Sequence, residues 1–159
     1  MKFIASKKLS DNVTLRAVIL WMLITLMLAM GLSLSAKRID FGLTPDAWIA
    51  TVMGSEAEFV DPLLFSDLLL GIHTDLFGLI ITFILIASLY VRTSRTTSTK
   101  ITLFAILLIT LLSYPLGLLT SSVFGAIAVV IGLSSFILFH SIIIMMAMDL
   151  LIALIRRRL

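Results

Sequence analysis

From Ala17 to Ala36 the chain reads AVILWMLITLMLAMGLSLSA, 20 residues without a charge. At ~1.5 Å rise per residue, such a run crosses a ~30 Å hydrocarbon core as one helix. Three more long apolar runs follow, so the chain is organised as spans joined by short connections. Hydrophobic residues make up 60% of the sequence and charged residues 13%, with a mean hydropathy of +1.20. That balance excludes a soluble enzyme and suits one helical membrane domain over residues 1–159. There is no cysteine, which removes disulfides, thiolate metal sites and cysteine nucleophiles. The first run lacks a small-residue cleavage site and is followed by further spans, so it is expected to remain as an anchor.

The spans are expected at about 17–36, 64–91, 101–119 and 124–155. Ahead of them, Met1 to Arg16 reads as a short amphipathic lead-in, with Ser10 as N-cap and Asp11 as the acid in the first turn. In the connection Lys37 to Val60, TPDAWIATVMG predicts a short helix with Thr44 as N-cap, Pro45 at the first helical position, Asp46 in the first turn and Gly54 as stop. Its apolar side would carry Trp48, Ile49, Val52 and Met53, the pattern of a helix lying in the membrane interface. Glu56, Glu58 and Asp61 follow as an acidic loop without metal-ligand spacing. Pro115 is expected to kink the third span near Leu111 to Tyr114. Thr120 to Ser122 reads as a tight turn.

Basic residues then set the topology. Lys2, Lys7, Lys8, Arg16, Arg92, Arg95, Lys100, Arg156, Arg157 and Arg158 fall on one side, and Lys37 and Arg38 on the other. This asymmetry is a membrane-topology pattern and carries no nucleic-acid signal. The positive-inside rule places both termini in the cytoplasm of a bacterial inner membrane. The expected fold is all-α: a transmembrane four-helix bundle, up-down-up-down, with a short interfacial helix in the first external loop.

Ionisable groups inside spans are costly and raise a functional question. His73 and Asp75 precede Arg92 by 19 and 17 residues, and His140 precedes Arg156 by 16. The helical rise puts them roughly 28, 25 and 24 Å from the basic boundary, in one layer of the outer half. Tyr114, 14 residues after Lys100, reaches roughly 21 Å. Residues two apart point about 200° apart around a helix, so His73 and Asp75 cannot share a face. Asp75 belongs to the small row Gly71, Asp75, Gly78, Thr82, and His73 to the bulkier row Ser66, Leu70, His73, Phe77, Ile80, Ile84. The fourth span has its own small row, Gly125, Ala128, Gly132, Ser135.

Three readings of the layer stand side by side. In the first, Asp75 pairs with His140, and Tyr114 joins them in a structural polar layer. In the second, His73 and His140 bind haem b as axial ligands, with Gly78 and Gly132 leaving room for a flat macrocycle. In the third, His73, Asp75 and His140 bind a metal or pass a proton. Asp149, roughly 10 Å from the basic boundary, is expected to pair with Arg156 or with a partner's basic group. No catalytic motif and no nucleotide-binding glycine loop is present.

Four short stretches carry a resemblance: GLTP at Gly42–Pro45, GSEAEF at Gly54–Phe59, PLLFSDLL at Pro62–Leu69 and HTDLF at His73–Phe77. The segment from Gly42 to Leu79 resembles a family of small uncharacterised four-span inner-membrane proteins of bacteria. The family pattern runs GLTP, G-x-E-x-x-F, P-L-x-F-x-x-LL, H-x-H-x-F. Where that pattern has its second histidine this chain has Asp75, so the resemblance implies no histidine pair here and no transferable activity. The sequence therefore leads to a small, non-enzymatic accessory or structural subunit of a larger membrane complex, with lipid and other membrane subunits or its own copies as partners. A haem b or metal-binding electron-transfer module is the alternative. A transporter is disfavoured by the lack of inverted repeats and broken-helix pairs.

Overall fold

The computed structural model describes residues 12–156. The lead-in and its Ser10–Asp11 start lie outside the described residues. Six helices follow in order: α1 Val13–Phe41, α2 Pro45–Met53, α3 Phe65–Tyr90, α4 Thr97–Leu119, α5 Ser121–Phe124 and α6 Ala126–Ile155. Four of them, α1, α3, α4 and α6, are long and apolar enough to cross a membrane.

α1 starts where Asn12 accepts a hydrogen bond from the Leu15 amide at 3.1 Å. It runs five residues beyond the expected end at Ala36, so Lys37, Arg38 and Asp40 are helical and not part of a loop. At 29 residues it is about 44 Å long, which carries those last turns past a ~30 Å apolar layer. Gly42 stops it at φ 83°, a backbone region that a side chain resists, and a Cβ there would lie 2.7 Å from the Ala47 Cβ. The chain can turn at once into α2.

α2 has the expected caps. The Thr44 hydroxyl accepts from the Ala47 amide at 3.2 Å, Pro45 opens the helix, and Gly54 closes it. Its apolar side faces the bundle: Trp48 and Val52 are buried, whereas Met53 stays exposed. Trp48 stacks on Phe41 at 4.5 Å between ring centroids and approaches Phe136 at 6.2 Å. Its indole N–H donates to the Gly42 carbonyl at 3.3 Å. α2 thus closes one end of the bundle. After it, Ser55 and Val60 pair in a small antiparallel bridge whose turn holds the exposed Phe59 at φ 53°.

The spans are packed unevenly. α6 is the hub, touching α1, α2, α3 and α4, while α1 and α3 hardly meet. In their most apolar 18-residue windows, 56% of α6 is buried but 22% each of α1 and α3. The closest approach is between α4 and α6, where a Cβ on Gly117 would fall 2.6 Å from the Ala128 carbonyl oxygen and 2.7 Å from the Gly132 nitrogen. Backbone lies against backbone there, the geometry that small residues permit between membrane helices. Pro115 sits inside α4, which runs through it as helix. The expected turn at Thr120 to Ser122 is instead the one-turn helix α5, closed by Gly125.

Candidate functional site

Each of the four spans contributes to a polar layer near the α2 end. Asp75, on the inner side of α3, receives the Lys37 ammonium from α1, with Nζ 2.6 Å from Oδ2. The Tyr114 hydroxyl of α4 donates to the same carboxylate oxygen. Lys37 and Asp75 keep side-chain exposures of 11% and 15%, so the pair is largely desolvated. Lys37 also lies 5.0 Å from the Phe41 ring centroid, within cation–π range. Because α1 and α3 barely touch, this ion pair is their main bridge.

His140 on α6 is fully buried one step away. Its Nδ1 lies 2.8 Å from the Phe136 carbonyl oxygen, which can only accept, so Nδ1 carries the hydrogen. In the neutral ring Nε2 is left as an acceptor, and the Ser33 hydroxyl of α1 donates to it at 3.3 Å. Phe136 joins the two halves of the layer, 5.0 Å from the Tyr114 ring and 4.2 Å from His140. An outward cleft of about 350 Å³ opens over Lys37 and Tyr114, with Asp40 and Asp67 in its lining.

The structure brings together Asp75 and Tyr114 of the expected layer and keeps His140 close by with separate partners. The expected Asp75–His140 hydrogen bond is not formed, because Lys37 and Tyr114 take the carboxylate and Ser33 takes the imidazole. His73 is on the opposite face of α3, exposed beside Leu70 and Phe77. It does not face His140. No group of three His, Asp or Glu able to hold a metal exists among the described residues. Nor does the haem slot form: Gly132 is filled by Gly117 and the Tyr114 backbone of α4, and both His140 nitrogens are hydrogen-bonded. The residues present do not fit haem b.

Lys37 and Ser33 were not apparent from the sequence, where Lys37 read as the start of a loop. The signal was available in the length of α1: four residues separate Ser33 from Lys37, one helical turn on one face, at the height where Asp75 had to find a partner.

A second cluster closes the other end. The Asp149 carboxylate on α6 accepts from the Tyr90 hydroxyl of α3 at 2.9 Å and from Arg95 Nη2 at 2.8 and 2.9 Å. Arg95, in the α3–α4 loop, therefore takes the role expected of Arg156. The hydrogen bond to Asp149 raises the Arg95 pKa above its ordinary value, so the guanidinium stays charged at every usable pH. Lys100 donates to the carbonyls of Val91 and Thr93 at 2.7 Å each and holds the loop against the end of α3.

Residues 42–159 match the Aq_1264_TM family, described as a transmembrane helical domain. The chain belongs to this family. The Aq_1264_TM match covers α2 to α6, so Lys37 and Ser33 on α1 precede it and Asp75, Tyr114, His140 and Asp149 lie within it. No curated protein and no solved structure matches the chain. The chain is a small multi-pass membrane protein, and the four long apolar helices among its described residues imply contact with the bilayer.

Proposed function

We propose that this chain is a non-enzymatic accessory or structural subunit that acts by packing against other membrane chains or its own copies. The observation that carries this reading is the unequal burial of the spans. α1 and α3 leave most of their length free, whereas α6 is spent on internal contacts. Along α3 the outward face presents Leu70, His73, Phe77, Ile80 and Ile84. An ionisable imidazole directed away from its own bundle is better accommodated against a partner than against acyl chains. The polar groups between the spans support the same reading: the half-buried Asp75 and Asp149 and the buried His140 are engaged with neighbours from other helices, the pattern of groups that fix helix register. The basic asymmetry supports a topology with both termini in the cytoplasm of a bacterial inner membrane and α2 outside.

The test is photocrosslinking in intact membranes, with a photoreactive residue at Phe77 on the free face and a second at Met146 in the core. Crosslinks from Phe77 to another membrane protein, or to a second copy at twice the mass, are expected, with none from Met146. Crosslinks to lipid alone from Phe77, together with a monomeric chain in mild detergent, would refute the subunit reading.

A further inference from the structure

We propose that the cleft at the Arg95 end of the bundle binds a phosphate group, presented by the headgroup of an anionic phospholipid or as free phosphate. The cleft measures about 460 Å³ and lies between the α3–α4 loop and the last turns of α6. Two guanidinium groups line it. Arg95 uses Nη2 for both bonds to Asp149, which leaves its Nε and Nη1 hydrogens unspent among the described residues. Arg156 lines the same cleft and makes no ion pair among the described residues. The forked donors of arginine match phosphate oxygens in a way that a lysine ammonium does not.

Hydroxyls surround these guanidiniums. Ser94, Thr96 and Thr99 share the lining, and the Thr96 and Thr99 hydroxyls contact each other at 2.8 Å. The loop that carries them is held in place, because Lys100 bonds two of its carbonyls and Arg95 is fixed by Asp149. Little ordering is then left to be done when an anion arrives. Within the lining, Arg95 and Arg156 against Asp149 leave one net positive charge, which a phosphodiester monoanion balances. Position completes the case. α3 ends at Tyr90, α4 begins at Thr97 and α6 ends at Ile155, so the cleft sits where the spans leave the apolar layer and where headgroups lie. Ile152 and Ala153 give its wall an apolar edge toward the acyl region. This site stands whether or not the chain has a protein partner.

The experiment uses the full chain purified in mild detergent, with lipid adducts counted by native mass spectrometry and the thermal midpoint read alongside. The probes are dioleoylphosphatidylglycerol, dioleoylphosphatidylcholine and inorganic phosphate. Retention of the glycerol lipid above the choline lipid, with a raised midpoint, assigns the site to a lipid headgroup; protection by inorganic phosphate alone assigns it to the free anion. Arg156→Gln, at an exposed position, should weaken binding about fivefold. Asp149→Asn should strengthen it, because it removes the one negative charge from the lining while its amide oxygen still accepts from Tyr90 and Arg95. Arg38→Gln, at the far end, should leave it unchanged. No preference among the three probes, or equal retention by the wild type and Arg156→Gln, would overturn the proposal.

Discussion

Lys37→Met removes the ammonium from Asp75 while keeping much of the apolar stem that packs near Phe41. Asp75, with 15% side-chain exposure, is then left with Tyr114 as its one donor among the described residues. Breaking a buried ion pair from one side costs about 3–5 kcal/mol; the residual exposure of both partners argues for the lower end, about 3 kcal/mol. The reverse change, Asp75→Asn, is expected to cost less, about 1 kcal/mol, for two reasons. The amide oxygen still accepts from Tyr114, and Lys37, near the end of α1, can extend its head toward water. Replacing both residues, Lys37→Met with Asp75→Asn, leaves no buried charge and is expected to recover about 2 kcal/mol relative to the sum of the singles. The assay is a double-mutant cycle in detergent micelles, with thermal unfolding followed by helicity. At a size of 150–250 residues, about 3 kcal/mol corresponds to a drop of roughly 6–12 °C in the midpoint. Strict additivity of the two substitutions, or a Lys37→Met midpoint equal to that of the wild type, would refute the pair as the bridge between α1 and α3.

The glycine contacts separate packed from free faces. Gly117→Ala forces a methyl to within 2.6 Å of the Ala128 carbonyl oxygen and should destabilise the bundle by about 1–3 kcal/mol. Gly78→Ala meets nothing within 4 Å and should be neutral or stabilising by about 0.5–1 kcal/mol; equal effects of the two in the same denaturation assay would argue against the α4–α6 crossing. Phe59→Gly relieves a left-handed backbone at a residue that is 96% exposed. It should leave the stability unchanged or raise it by about 1 kcal/mol, and a loss of stability would mean that the ring is covered in the membrane.

Much of this architecture follows from the sequence alone. Four runs of lipid-compatible residues have to become helices, since a backbone in hydrocarbon must satisfy its own hydrogen bonds. Thr44, Pro45 and Gly54 then fix the ends of α2 through local geometry, and helical rise places Asp75 and Tyr114 at nearly one height. None of this needs knowledge of neighbours. Partner choice does. Whether Asp75 meets His140 or Lys37 depends on which side of α6 each span docks. Helix positions around a bundle are set by contacts such as Gly117 against Gly132, which periodicity along one helix does not encode. The same holds at the other end, where Asp149 is reached by Arg95 from a loop and not by Arg156 from its own helix. His73 shows the limit most plainly. Its depth, close to that of Asp75, is legible in the chain, and so is the fact that the two face apart, because two residues along a helix turn a side chain through more than half a circle; which of them turns toward the bundle is decided only when α3 docks. Depth is a property of the strand of residues; facing is a property of the assembled bundle.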